Sequence, residues 1–127
     1  MNGSLNQEVV NDTAKLIMHR LIARRLARDP LLAERAKDSH AKISERFPGW
    51  AFVGEWNDLL ALPTGRLLRL LTSRQSEMNR LRLSSPFVIA EGMDFTDPAL
   101  RRRIRRAAKR LVARRPAAGR AVSNAAA

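Results

Sequence analysis

Apolar residues recur at helical spacing along most of this chain, and proline, glycine and serine cut the pattern into segments. Val10, Ala14, Ile17 and Leu21, widened by Ile22 and Leu26, predict a first helix from Gln7 to Arg28. Asp29-Pro30 then reads as a cap followed by a first helical position, opening a second helix that runs to about Phe47. Its apolar stripe (Leu32, Ala36, Ile43) is thin, which predicts a helix on the surface of the body. Pro48-Gly49 breaks the run inside an aromatic cluster of Phe47, Trp50, Phe52 and Trp56. Phe52, Trp56, Leu59 and Leu60 share one face of a third helix that ends before Pro63.

A short leucine-rich helix is predicted from Thr64 to Thr72, and another, capped by Ser73 or Ser76, ends near Leu83. Ser84-Ser85-Pro86 stops it, because the residue before proline resists helical geometry. Phe87-Val88-Ile89-Ala90 is the one strand-like run; a single strand has no partner, so it is expected as an extended segment packed on the helices. Thr96-Asp97-Pro98 is a strong helix start, and the last helix continues to about Arg115. The predicted fold is all-α: a small irregular bundle of five or six helices with a protruding Arg-rich C-terminal helix. Residues 1–90 form the body, 91–97 an acidic linker and helix cap, 98–115 the basic helix, and 116–127 a disordered tail. The core is expected to include Trp50, Phe52, Trp56, Leu59, Leu60 and Phe87.

Composition narrows the class. At 127 residues and 45% hydrophobic, the chain suits one small domain. It has no cysteine, which excludes disulfides and thiolate metal sites. No apolar run approaches the roughly 20 residues that span a bilayer, and Met1 to Asp12 is polar, unlike a secretory leader. A cytoplasmic location is expected.

Charge changes the picture most. The formal net charge is +12, but residues 1–97 carry 14 Lys/Arg against 12 Asp/Glu, while residues 98–127 carry 10 and no acid. The basicity therefore belongs to one helix, in Arg101, Arg102, Arg103, Arg105, Arg106, Lys109, Arg110, Arg114 and Arg115. Leu100, Ile104, Ala108, Leu111 and Val112 give that helix one narrow apolar stripe. A solvated helix face usually mixes both signs. Here like charges stack at i,i+4, as in Arg101/Arg105, Arg102/Arg106 and Arg106/Arg110, opposing the isolated helix by about 1–2 kcal/mol in all. An external anion would relieve that repulsion.

Three kinds of anion are conceivable. Fifteen helical residues span about 22 Å, and a DNA or RNA backbone offers dense phosphate over that length. If about five side chains reach phosphates, log affinity falls against log salt with a slope near −4.5. No aromatic residue interleaves with the arginines, and no helix-turn-helix or zinc finger is recognisable, so such contacts would carry little sequence specificity. An acidic protein surface suits the planar guanidinium fork equally well. A membrane surface is not expected, because the stripe lacks Trp or Phe anchors.

Catalytic chemistry has little to stand on. His19 and His40 have no ligand-like partner on their own helix faces, and no Gly-rich phosphate loop or nucleophile motif occurs. Glu91, Asp94 and Asp97 precede the basic helix, where negative charge at a helix N-terminus explains Asp97 and Asp94. No enzyme activity, metal or cofactor is expected.

Three short motifs carry a resemblance: Arg24-Arg25-Leu26-Ala27 with Asp29-Pro30; Glu55-Trp56 with Leu59-Leu60 and Pro63; and Leu81-Arg82 leading to Ser84-Ser85-Pro86-Phe87. Across about Leu16 to Ile89 the chain resembles a group of small bacterial antitoxins. The resemblance implies a protein that neutralises a cognate toxin, often an RNA-acting nuclease or a nucleotidyltransferase with an acidic active site that the basic helix could enter. The chain departs from that group in lacking a recognisable helix-turn-helix and in ending on the acidic linker and basic helix. Two readings follow: an antitoxin-like interaction protein for a toxin partner, or a nucleic-acid-binding accessory protein using the Arg-rich helix on phosphates. Either could act as a homo-oligomer.

Overall fold

The structure, a computed structural model, describes residues 6–114. It contains six helices: α1 (Gln7–Arg28), α2 (Leu31–Arg46), α3 (Ala51–Leu60), α4 (Thr64–Leu71), α5 (Ser76–Arg82) and α6 (Pro98–Arg114). The described residues contain no strand, and no helix among them is long and apolar enough to cross a membrane. The expected tail, 116–127, and Arg115 lie outside the described residues.

The hub is α1. Asn6 starts it by accepting from the backbone N–H groups of Glu8 and Val9, at 2.9 and 3.3 Å. Four of the other five helices pack on it, α6 most extensively, then α4, α5 and α2. A helix surrounded in this way buries several faces, so its inner positions are Val10, Thr13, Ala14, Leu16, Met18, His19, Ile22 and Leu26. The stripe read from the sequence is part of this inner surface: Val10, Ala14, Ile22 and Leu26 are buried, and Ile17 and Leu21 are partly buried against the core.

The body closes around Trp56, which is fully buried. Its indole N–H donates to the Leu81 carbonyl at 3.0 Å and to Ser84 Oγ at 3.1 Å, and its ring meets Phe87 edge-on at 6.2 Å. Leu60 and Phe87 are buried as expected, and Leu59 packs against the core. Trp50 corrects the core expectation: it is 59% exposed, forming with Phe47 and Phe52 a surface aromatic cluster whose ring centroids lie 5.2–5.9 Å apart. Phe52 is half-buried. Gly49, at φ +80°, turns the chain between Phe47 and Trp50 within this cluster.

Several local expectations shift. The 87–90 run is a series of turns rather than extended chain, with Ala90 N–H donating to Phe87 O at 3.3 Å and Met93 N–H to Ala90 O at 3.1 Å. Phe87 and Ala90 point inward and Ile89 outward. Neither Ser73 nor Ser76 caps α5, whose N-cap is Gln75; Ser73 Oγ instead accepts from the Gln75 N–H. At the start of α2, Pro30 is already in helical conformation, the Asp29 carbonyl accepts from the Leu32 N–H at 3.0 Å, and the Asp29 carboxylate accepts from Arg35 at 2.9 Å. The acidic linker also supplies Phe95 to the core.

Arg82 is fully buried. Its Nη1 donates to the Leu71 and Ser73 carbonyls at 3.0 and 2.7 Å, and its Nη2 to Asn79 Oδ1 at 2.6 Å. A guanidinium placed on the last carbonyl of α4 satisfies an orphan acceptor and meets the negative end of that helix dipole. Burial still pulls its pKa below the ordinary arginine value.

Instead of protruding, α6 lies along α1. Ile104, Ala108 and Val112, at i, i+4 and i+8, are buried, while Leu111 is 36% exposed at the edge of the seam. Truncating a buried isoleucine removes both transfer energy and packing, whereas an edge leucine loses less. Ile104→Ala is therefore expected to cost about 2–4 kcal/mol, and Leu111→Ala under about 1 kcal/mol, in chemical denaturation. Equal losses at the two positions would refute the seam.

His19 makes stability depend on pH. Its Nδ1 lies 2.7 Å from the Lys15 carbonyl and so carries the donated proton, leaving the buried Nε2 without a partner. Burial lowers its pKa to about 4 from 6.5. The unfolded chain thus binds a proton that the folded chain refuses between those values, and stability rises with pH across that window. The contribution is complete above about pH 6.5 and is lost on acidification, by about 3 kcal/mol at pH 4. Urea midpoints measured from pH 4 to 7.5 read this slope. His19→Leu is expected to flatten it, and an unchanged slope would reject the assignment.

Candidate partner-binding surface

The basic block is held in place by the cap and the seam of α6. Asp97 Oδ1 accepts from Ala99 N–H at 3.1 Å, and the Asp97 carbonyl from Arg101 N–H at 3.0 Å, fixing the first turn. With Ile104, Ala108 and Val112 turned to α1, helical geometry sends the intervening positions to solvent. Arg101, Arg102, Arg103, Arg106, Lys109, Arg110 and Arg114 are all exposed, and Arg105 is half-buried. The structure therefore brings eight of the nine predicted basic residues onto one continuous surface, Arg115 lying outside the described residues.

These charges have no carboxylate partners within the described residues. The ion pairs there belong to the body: Asp29 with Arg25 and Arg35, Glu34 with Lys37, and Arg80 with both Glu55 and Glu77. Those contacts hold the Asp29 and Glu55 carboxyls below the usual carboxylate range, chiefly through the hydrogen bonds from Arg35 and Arg80 respectively. On α6 the one guanidinium with side-chain partners is Arg105, which donates to Asn11 Oδ1 at 2.9 Å and to Gln7 Oε1. Both acceptors are neutral amides, so Arg105 is positioned without losing its charge.

Beside α6 the surface is concave. Between α1 and α6 lies a cavity of about 340 Å³ lined by Lys15, Leu83, Arg101, Arg102 and Arg105. A second, of about 310 Å³, is walled by Ile43, Phe47, Phe52, Val88 and Ile89. Lys15 and Leu83 line both, so the cavities adjoin across a shared sill. No Asp or Glu lines either one. Burial, and secondarily the nearby Arg101, lower the pKa of the Lys15 ammonium.

Sequence reasoning missed Lys15 and Leu83, which are remote from the basic block in the chain. It also missed Arg20 and Arg74, which join Arg114 around a cavity of about 210 Å³. Isolated basic residues in a basic sequence carry no signal that they will converge. Elsewhere, His40 Nε2 donates to the Val53 carbonyl at 2.9 Å, so both histidines are buried and spend one ring nitrogen on backbone. Among the described residues no three His, Asp or Glu side chains come together as a metal site.

No family model, curated protein or solved structure matches this chain.

Proposed function

We propose that this chain is a non-catalytic binding protein of the antitoxin kind, which neutralises a partner protein by presenting the basic face of α6 to an acidic cleft. The observation that carries this reading is the row of exposed guanidinium groups on a docked helix, with no carboxylate within ion-pair distance among the described residues. Planar guanidinium forks bind carboxylates bidentately, and a helix already folded against its body offers them without an ordering penalty. The motif resemblance supports the antitoxin assignment. Its pieces have a structural basis, since Trp56, Leu81, Ser84 and Phe87 meet in one contact.

The nucleic-acid reading draws on the same charges. It makes no use of Ile43, Phe47, Phe52, Val88 and Ile89, the apolar side chains that line the adjoining cavity together with Lys15, Ser84 and Ser85. A protein partner can use both surfaces, which favours the first reading.

The test is charge reversal, because removing α6 would strip Ile104, Ala108 and Val112 from the core. Arg102, Arg106 and Arg110 are exposed, so replacing all three by Glu is expected to preserve the fold. Co-expression with the product of the adjacent gene reads neutralisation and co-purification. The triple variant is expected to lose both, with affinity down at least about a hundredfold. Full neutralisation by that variant would sink the role of the helix. Duplex binding whose log–log salt slope falls by nearly 3, about 0.9 for each phosphate contact removed, would favour the nucleic-acid reading.

A further inference from the structure

The cavity against α6 and the apolar cavity that adjoins it differ in chemistry and share Lys15 and Leu83. The one against α6 offers Lys15, Arg101 and Arg102; the other offers Phe47, Phe52 and Ile89. Leu83 stands between them, 61% exposed, and Ile89 on the far rim is 56% exposed. Large apolar side chains left in solvent at the edge of an apolar hollow are a common mark of a contact surface. Each cavity falls near the lower end of the size range of ligand pockets. Together they form a groove that is positive at one end, apolar at the other and free of acidic lining.

We propose that this groove, running from Arg101 and Arg102 across Leu83 to Phe52 and Ile89, seats an acidic amphipathic helical segment of a partner protein. The proposal deepens the reading of the chain as a partner-binding protein and rests on it. Apolar side chains of the segment at i, i+3, i+4 and i+7 enter the aromatic half, as in other helix-in-groove contacts. Carboxylates on its flank meet Lys15, Arg101 and Arg102. The lining selects this occupant by charge: a basic segment would place like charge against four cations (Lys15, Arg101, Arg102 and Arg105) with no carboxylate in the lining to relieve it. A purely acidic segment would leave Leu83, Phe52 and Ile89 in water.

The lowered Lys15 pKa is consistent with this arrangement, since it reflects a cation pressed by burial and by Arg101 with no opposing charge. A bound carboxylate reverses that balance and raises it. Trp50 provides an intrinsic reporter, because it packs on both Phe47 and Phe52, whereas Trp56 is buried elsewhere in the core.

The experiment uses the full-length chain and a synthetic peptide of about four helical turns, with leucines at i, i+3, i+4 and i+7 and glutamates between. Control peptides carry Lys for Glu, or Ser for Leu. The Glu/Leu peptide is expected to bind by fluorescence anisotropy and to shift Trp50 emission to the blue. The Lys/Leu peptide should not bind, and the Glu/Ser peptide should bind at least about tenfold more weakly. Leu83→Asp and Lys15→Glu are each expected to weaken binding by about tenfold or more. Leu31→Asp, also at an exposed apolar position but outside the groove, should leave it unchanged. If Leu83→Asp unfolds the protein, Ile89→Asp tests the same wall from an exposed site.

Wild-type affinity in the folded groove variants overturns the proposal, as does equal binding of the Glu/Leu and Glu/Ser peptides. It is also overturned if neither acidic peptide binds, whether or not duplex DNA does. The two readings fail separately. If Leu83→Asp still neutralises the partner while the Arg102/Arg106/Arg110 reversal does not, the groove is wrong and the function stands. If Leu83→Asp loses the peptide while neither variant affects the partner, the groove stands and the function falls.

Discussion

The seam between α1 and α6 decides where the protein's charge goes. Ile104, Ala108 and Val112 are the α6 positions turned fully inward, and their burial leaves the basic positions facing outward. Burying side chains such as Ile104 and Val112 is worth about 1.5–3 kcal/mol each. That exceeds the roughly 1–2 kcal/mol of like-charge repulsion along the helix. The helix is therefore docked before any anion arrives, and its guanidinium groups are already arranged. A segment that folded only on binding would lose affinity to ordering.

Segregation of charge within the body keeps that block uncompensated. The acids that make close ion pairs are matched to body cations: Asp29 to Arg25 and Arg35, Glu34 to Lys37, Glu55 and Glu77 to Arg80. Arg82, the one fully buried guanidinium among the described residues, takes backbone carbonyls and an amide oxygen, not a carboxylate. Arg105 follows the same pattern at the seam, with Asn11 and Gln7 as acceptors. In both places polar but neutral groups orient a cation without cancelling its field.

The helices were legible in the sequence because their boundaries rest on local chemistry. Asp29-Pro30, Pro48-Gly49, Pro63 and Asp97-Pro98 act through local backbone geometry, and the end of α1, both ends of α3 and the start of α6 fall within about three residues of those signals. Burial was less legible, because it depends on which elements meet. As a hub, α1 has no single inner face, so its stripe shows Ile17 and Leu21, which are partly buried against the core, but not Leu16, Met18 and His19, which are buried. Trp50 has the composition of a core residue, yet the turn at Gly49 leaves it with Phe47 and Phe52 on the surface. The run from Phe87 to Ala90 looks strand-like by residue type, but successive turns satisfy its backbone without a partner strand. The Arg-rich half of the surface was visible as composition. Its apolar half was not, since Phe47, Phe52, Leu83 and Ile89 come from the end of α2, from α3 and from the turns after α5, which only the fold brings together.

That convergence bears on how binding divides between charge and contact. Coulomb attraction between the exposed arginines and an acidic partner acts over about 10 Å at moderate salt, raising the encounter rate and weakening as salt increases. Apolar contact at Phe52, Leu83 and Ile89 is short-ranged and largely insensitive to salt. In the proposed reading, the first brings a partner in and rejects basic competitors, and the second governs how slowly it leaves. An Arg-rich helix alone would hold many polyanions with little discrimination. In the proposed groove, adjoining it to an apolar hollow without acidic lining would restrict the set to partners whose negative charge and apolar side chains lie a groove's length apart.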